Sequence, residues 1–223
     1  MIFQHRSLDF TEIDTIESNT GRQYKTPAGV FPSITTVLGH TGDKQWLQEW
    51  RESLGPEAAD AEMLRAADRG TAVHDMAEKY LKNVVDPMEG HVRNHCAEFN
   101  SIRTKLNRIS NIWLQEAPLW SSELRLAGRV DCIAEYDGVP AIIDFKTSST
   151  IKRPDMILDY YMQTAAYALM FQERYGIQVD KYVIIMSAER SPVPLVFKGD
   201  IDPHIAPLLK RINTYHKQHN TPK

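Results

Sequence analysis

Cysteine is nearly absent: Cys96 and Cys132 are the only two in 223 residues. Two thiols cannot make a four-thiolate zinc or iron–sulfur site, nor the disulfide framework of a small secreted domain. Both are expected to be reduced and structural. Long apolar runs are missing as well. No stretch approaches the roughly 20 residues that cross a bilayer, and the start Met-Ile-Phe-Gln-His-Arg lacks the apolar core of a signal peptide. The first 20 residues hold four acids and a single Arg, unlike a mitochondrial transit sequence, so a cytoplasmic protein without a membrane partner is expected. A basic surplus is lacking too. A formal net charge of −3 argues against a broad electrostatic grip on duplex nucleic acid, though a narrow channel remains compatible. Local clusters exist at Arg103, Lys105 and Arg108 and at Lys146, Lys152 and Arg153, and such runs are often merely solvated faces.

What is present is ordinary for a globular domain, with 42% hydrophobic and 25% charged residues and no internal repeat. Residues 1–40 read as irregular or strand-like, with a turn at Thr26-Pro-Ala-Gly29 and Ser33 as N-cap of a short helix. Helices are expected over Lys44 to Leu54, ending at Gly55-Pro56, and over Glu57 to Leu81, with a stripe through Met63, Ala66, Ala67, Gly70, Val73, Ala77, Tyr80 and Leu81. Another is expected over 89–112. Strands follow from Trp113, then a polar loop from Ser148 to Arg153, and a helix from Pro154 to Tyr175 closed by Gly176. Strands at Asp180 to Ser187 and Val193 to Lys198 and a helix from Asp202 to His219 complete the chain. This order implies an α/β or α+β domain with a mixed sheet.

The chemistry concentrates between Gly128 and Lys146. Gly128 to Tyr136 and Val139 to Lys146 read as a hairpin turning at Asp137-Gly138. If Tyr136 pairs with Val139, paired positions sum to 275, and Asp131 stands opposite Asp144. Opposed like charges destabilise a sheet unless something positive compensates. Lys146 points to the same face as Asp144, while Ile143 and Phe145 point to the other. Two acids and a lysine thus make a patch suited to a hard divalent cation. Pro140 weakens this register, since it cannot donate to a ladder. The bland alternative, an open hairpin face with ordinary charges, is about as common from the strands alone.

Other positions could complete a site. His74 faces the sheet from its helix, and such a histidine is more often a core residue than a ligand. With Glu78, at i, i+4, it would make half of a zinc site, but no third zinc-like ligand stands at a convincing spacing. Gln163 and Tyr167 share a helix face, and Glu123 is a weaker candidate. Tyr24, Phe31, Trp46, Trp50 and Trp113 could stack bases of a single strand, yet aromatics are more often core.

Four motifs in order, Gly70-Thr-Ala-Val-His74, Gly128-Arg-Val-Asp131, Ile143-Asp-Phe-Lys146 and Gln163-Thr-Ala-Ala-Tyr167, resemble the RecB-like branch of the PD-(D/E)XK nuclease superfamily, with Asp144 where Glu is commoner. The likeness is closer to that branch's genome maintenance exonucleases. It extends to Phe31 to Leu38 with Thr41, Leu47 to Trp50, and Asp131 to Tyr136; the short chain suggests a bacterial or phage member. The resemblance implies a restriction-endonuclease-like core, a central mixed sheet flanked by helices. It implies a single domain over 1–223, with 1–112 mainly helical and forming a wall or arch, and 113–223 carrying the catalytic hairpin. It further implies that Asp131, Asp144, the Phe145 carbonyl and His74 hold Mg²⁺ or Mn²⁺, that Lys146 activates water, and that Gln163 and Tyr167 position the active groups. Ser33, Arg69, Thr147, Ser148 and Lys152 are the expected nucleic-acid contacts. The implied activity is DNA hydrolysis from an end of a single strand; a structure-specific endonuclease and a non-catalytic nucleic-acid-binding protein are the alternatives.

Overall fold

A computed structural model describes residues 2–43, 45–189 and 191–219, and Trp46 by its backbone alone. Three short strands, β1 (Thr15–Ser18), β2 (Gly21–Thr26) and β3 (Gly29–Pro32), form an antiparallel sheet in that order. Helices α1 (Ile34–Thr41), α2 (Gln45–Leu54), α3 (Pro56–Leu81) and α4 (Arg93–Leu106) follow. Then come β4 (Ile109–Ser121), β5 (Leu126–Tyr136), β6 (Val139–Ser148), α5 (Leu158–Tyr175), β7 (Lys181–Ala188), β8 (Ser191–Asp200) and α6 (Asp202–His219). The last five strands make one sheet in sequence order, antiparallel except for the parallel β6–β7 pair. Parallel neighbours need a crossover, and α5 supplies it. The mixed α/β architecture expected from the element order is therefore the one observed.

Both faces of this sheet are covered. Ile133, Ile142, Ile184 and Met186 pack in one core with residues of α1, α5 and α6, while Cys132, Ile143, Phe145, Val183 and Ile185 pack in a second with α3 and α4. Alternation along each strand thus serves two apolar layers, so the hairpin has no open charged face of the kind the bland reading supposed. No described helix is long and apolar enough to cross a membrane.

Several boundaries differ from expectation. The segment at 1–40 contains a true sheet, hidden because Thr15–Ser18 and Gly21–Thr26 are largely polar and bury only Tyr24 and Thr26. The helix expected over 89–112 is confined to Arg93–Leu106. Gly90 adopts φ +82 ahead of it, and Ile109, buried as expected, belongs to β4. A boundary drawn at 112 therefore cuts a strand. In α3 the second half of the stripe holds, with Val73, Ala77 and Leu81 buried beside Ala72 and Met76, whereas Met63 is 49% exposed, because the first turns pack beside α2 rather than on the sheet. Pro154 opens a short 3₁₀ turn, Pro154–Met156, before α5 begins. Gly176 does close α5, in a left-handed conformation with its N–H on the Gln172 carbonyl. Lys44, expected to open α2, lies outside the described residues.

Arg69 is 3% exposed and joins three elements. Its guanidinium pairs with Glu189 after β7 and lies 3.8 Å from Glu98 of α4, which accepts a 2.7 Å hydrogen bond from Ser187 of β7. Removing a buried partner strands the opposite charge. Arg69→Met is accordingly expected to lower stability by roughly 3 kcal/mol, and the thermal midpoint by about 6–12 °C for a chain this size. Thermal unfolding followed by circular dichroism checks this.

Candidate active site

The hairpin turns where the sequence placed it. Asp137 and Gly138 have φ of +54 and +77, a type I′ pair, and Tyr136 faces Val139. Pro140 faces Glu135, a position whose nitrogen points away from β5 when the flanking pair is hydrogen-bonded, and β7 pairing starts only at Ile142. The missing donor therefore costs no ladder bond, and the register survives.

The ladder then stops one step before the two acids. Its last pair is Cys132 with Ile143; beyond it β6 continues alongside β7, and the Phe145 N–H turns to Asp131, donating to Oδ2 at 2.7 Å. Asp131 and Asp144 thus sit at the fork where two strands part. Both are buried, Asp144 to 1% exposure. Lys146 Nζ lies 2.5 Å from Asp144 Oδ2, yet neither Asp144 oxygen receives a well-directed hydrogen bond. Burial pushes the Asp144 carboxyl up to about 6; the Lys146 ammonium offsets part of this, and Asp131 adds to it. For Lys146 burial works against the charge, but Asp144 and then Asp131 outweigh it and raise its pKa. The ammonium also stands 5.1 Å over the Tyr160 ring.

Helix α3 brings His74 to the same fork. Its ring is half-buried, edge-on to Phe145 with centroids 6.1 Å apart, and its Nδ1 is 3.6 Å from Asp131 Oδ2. From the opposite layer α5 brings Gln163 and Tyr167, both buried, with Gln163 Nε2 donating to the Tyr167 hydroxyl at 3.3 Å. Burial holds that hydroxyl well above its ordinary pKa, Gln163 opposing, with Asp131 and Asp144 adding to the rise.

The Gly128-Arg-Val-Asp131 motif has a physical reading residue by residue. A Cβ on Gly128 would stand 2.8 Å from Tyr167 Cε1 and 3.2 Å from Ile34 Cγ2, so only glycine lets α5 approach this strand. Arg129 donates to the Glu116 carbonyl and pairs with Glu12 at 2.6 Å. Val130 enters the core and Asp131 enters the fork. Gly128→Ala is expected to displace Tyr167 and to cost about 1–3 kcal/mol by overpacking. Denaturant unfolding together with the cleavage rate checks this, and a neutral variant would contradict the close approach.

Glu116 is a site residue that the sequence reading missed. It lies on β4 with φ +49, near a register irregularity between Ser110 and Leu114. Ligand atoms of His74, Glu116 and Asp131 all lie within 4.8 Å of one another. Burial, then Asp131 and Glu78, push the Glu116 carboxyl up to about 8. One imidazole and two carboxylates, neither in an ion pair with Lys or Arg among the described residues, are a donor set suited to a divalent ion. The available signal was Gln115-Glu116, two successive polar residues that break the alternation of β4. Tyr160, stacked under Lys146, was missed as well.

The remaining candidates are dispersed. Ser33 is buried as the cap of α1, accepting from the Thr36 N–H at 2.9 Å, and Arg69 is engaged internally as described above. Thr147 Oγ1 lies 3.7 Å from where a Gly70 Cβ would stand, against α3. Ser148 is buried and accepts from the Thr150 N–H, and Lys152 is half-buried in the loop beyond. Glu123 sits in the β4–β5 turn. Tyr24 and Phe31 form a small core with Trp120, and Trp113 stacks on Phe171, so these three aromatics pack rather than stack bases. Trp50 differs. It lines a cleft of about 600 Å³ with Leu54, Arg65, Ser149 and Thr150, directly beyond the end of β6. The Trp46 side chain lies outside the described residues.

Comparison with known proteins agrees with this geometry. A model of the PD-(D/E)XK nuclease superfamily matches residues 90–196. The chain is 27% identical over 169 residues to Mitochondrial genome maintenance exonuclease 1 of Mus musculus, covering 70% of this chain and 49% of that protein. The protein of the same name from Xenopus tropicalis is 28% identical over 171 residues, and that from Homo sapiens 27% over 171, with 71% of this chain covered in each. The chain spans about half the length of these curated relatives. Residues 90–196 thus match the PD-(D/E)XK nuclease superfamily, and the five-stranded mixed sheet that carries the acidic fork has that superfamily's fold.

Proposed function

We propose that the chain is a metal-dependent DNA exonuclease that acts on single strands from an end, with residues 1–223 working as one domain. The observation that carries this reading is the convergence of Asp131, Asp144, Lys146 and His74 at the parting of β5 and β6. The printed name of the relatives, exonuclease, supports the end-directed part. The cleft beside β6, with Trp50 and Arg65 on its wall, supports a strand whose bases are free to stack.

Asp131, Asp144, the Phe145 carbonyl and His74 would hold Mg²⁺ or Mn²⁺, which when bound supplies positive charge to the scissile phosphate and acidity to water. Lys146 neutralises charge that develops on the phosphate oxygens and orients the attacking water. Gln163 and Tyr167 keep the acids in place from the opposite layer, and Tyr160 fixes the Lys146 ammonium by its ring face. Thr147, Ser148 and Lys152 continue from the catalytic strand toward the cleft and are the backbone contacts in this reading. Ser33 and Arg69, both bonded internally, serve the fold instead.

The test is digestion of 5′- and 3′-labelled linear single strands beside duplex and circular single strands, with Mg²⁺, with Mn²⁺ and with chelator. Linear strands should be degraded only with metal, and Asp131→Asn should be inactive. Cleavage of circles would replace the exonuclease by an endonuclease, and activity in chelator would remove the metal from the reading.

A further inference from the structure

We propose that Glu116 is a ligand of the divalent cation, joining His74 and Asp131 as a third side-chain donor from a strand that carries none of the recognised motifs. This rests on the metal-dependent reading above and extends it. The first observation is position: the ligand atoms of His74, Glu116 and Asp131 fall within 4.8 Å of one another, a span one ion can bridge. The second is the lack of any other partner. Among the described residues the Glu116 carboxylate makes no hydrogen bond and no ion pair, although its carbonyl is held by Arg129, whose own charge is paired with Glu12. Asp144, which interacts with Asp131 and His74, is 1% exposed and has both oxygens without a directed hydrogen bond.

The charges lead to the same place. Glu78, one turn along α3 from His74, is paired with Lys82, and Asp75 with Lys79 and His91. With all three carboxyls ionised, Glu116, Asp131 and Asp144 carry three negative charges against the one positive charge of Lys146, an excess of two. One divalent cation balances two. The backbone is also specialised here. Glu116 is held at φ +49, a left-handed conformation uncommon for a residue with a Cβ, and the bond from Arg129 fixes the carbonyl that follows from it. A residue so held presents its side chain to the fork in a fixed direction, as a ligand must be.

The test is Mn²⁺ binding to chelator-stripped protein by calorimetry, in the full chain, for wild type, Glu116→Gln, Glu123→Gln as an exposed control, and Asp131→Asn. Loss of even an outer-sphere partner of a metal ligand typically weakens binding by about 10–100-fold, so Glu116→Gln is expected to lose at least tenfold, with the control unchanged. In chelator the thermal midpoint of Glu116→Gln should not fall, because the substitution relieves crowding of like charge. If that variant does not fold, Glu116→Asp, which keeps the charge but withdraws it by one methylene, carries the same expectation. A loss smaller than tenfold in the folded variant would overturn the inference. If Asp131→Asn loses binding while Glu116→Gln keeps it, only this inference fails. If wild type does not bind Mn²⁺, the metal-dependent reading fails with it.

Discussion

Lys146→Ala is expected to abolish phosphodiester cleavage and to destabilise the fold at the same time. Substitutions of exposed active-site groups usually spare stability, and from sequence the hairpin face looked open enough for that rule to apply. The structure places Lys146 Nζ 2.5 Å from an Asp144 carboxylate that is 1% exposed, in a sheet covered on both faces. Removing the ammonium takes away a preorganised positive charge, a loss that in comparable sites costs about 10²–10³ in rate. It also leaves a buried carboxylate without its counter-charge, for which roughly 3 kcal/mol is expected. Asp144 limits that loss by taking up a proton, since its pKa is already pushed up to about 6 and would climb further. Single-turnover cleavage and urea unfolding measure the two effects separately. The double variant Lys146→Ala with Asp144→Asn should recover stability but not activity. Residual cleavage near the wild-type rate would remove Lys146 from the chemistry; unchanged stability would mean the ammonium does not compensate Asp144.

What the sequence revealed and what it concealed follow from the range of the forces involved. The Asp137-Gly138 turn is a local matter of two positive φ values, and turn length sets register, so the pairing of Tyr136 with Val139 that carries Asp131 and Asp144 to the same end of the hairpin was readable in the sequence. Gly176 as a helix stop is local in the same sense. The parting of β5 from β6 was not readable, because beyond Ile143 β6 runs on beside β7, a strand distant in sequence, without β5. The same parting goes with the Phe145 N–H turning onto Asp131. Glu116 was concealed for a related reason: its place in the fork depends on a left-handed residue inside β4 and on a bond from Arg129. The polar first strands carried no hydrophobic period, and α3 misled because its first half packs beside another helix, not on the sheet.

Asp144→Asn should likewise abolish cleavage, yet raise the stability of the metal-free protein at neutral pH. The sign follows from linkage. The folded-state pKa of Asp144 is about 6 against an ordinary 3.8, with burial the leading cause. A carboxyl that holds its proton more tightly in the folded state contributes fully below the unfolded pKa, and that contribution is lost as pH rises from about 4 through 6. Above that window the ionised group opposes folding by at most about 3 kcal/mol, from a shift of about 2 units at 1.36 kcal/mol each. Asparagine keeps the shape and carries no charge to desolvate. Wild type and variant should therefore be equally stable near pH 4 and diverge in the variant's favour by pH 7, by less than the full amount because Lys146 loses its nearest partner. A divalent cation should reverse the order, since a ligand at a hundred times its Kd stabilises the protein that binds it by about 2.7 kcal/mol and does nothing for one that does not. Urea unfolding at pH 4, 5, 6 and 7, in chelator and in Mn²⁺, supplies the comparison. A stability difference independent of pH would show that the buried charge at position 144 is balanced without the cation, and the case for a metal at the fork would lose its strongest energetic support.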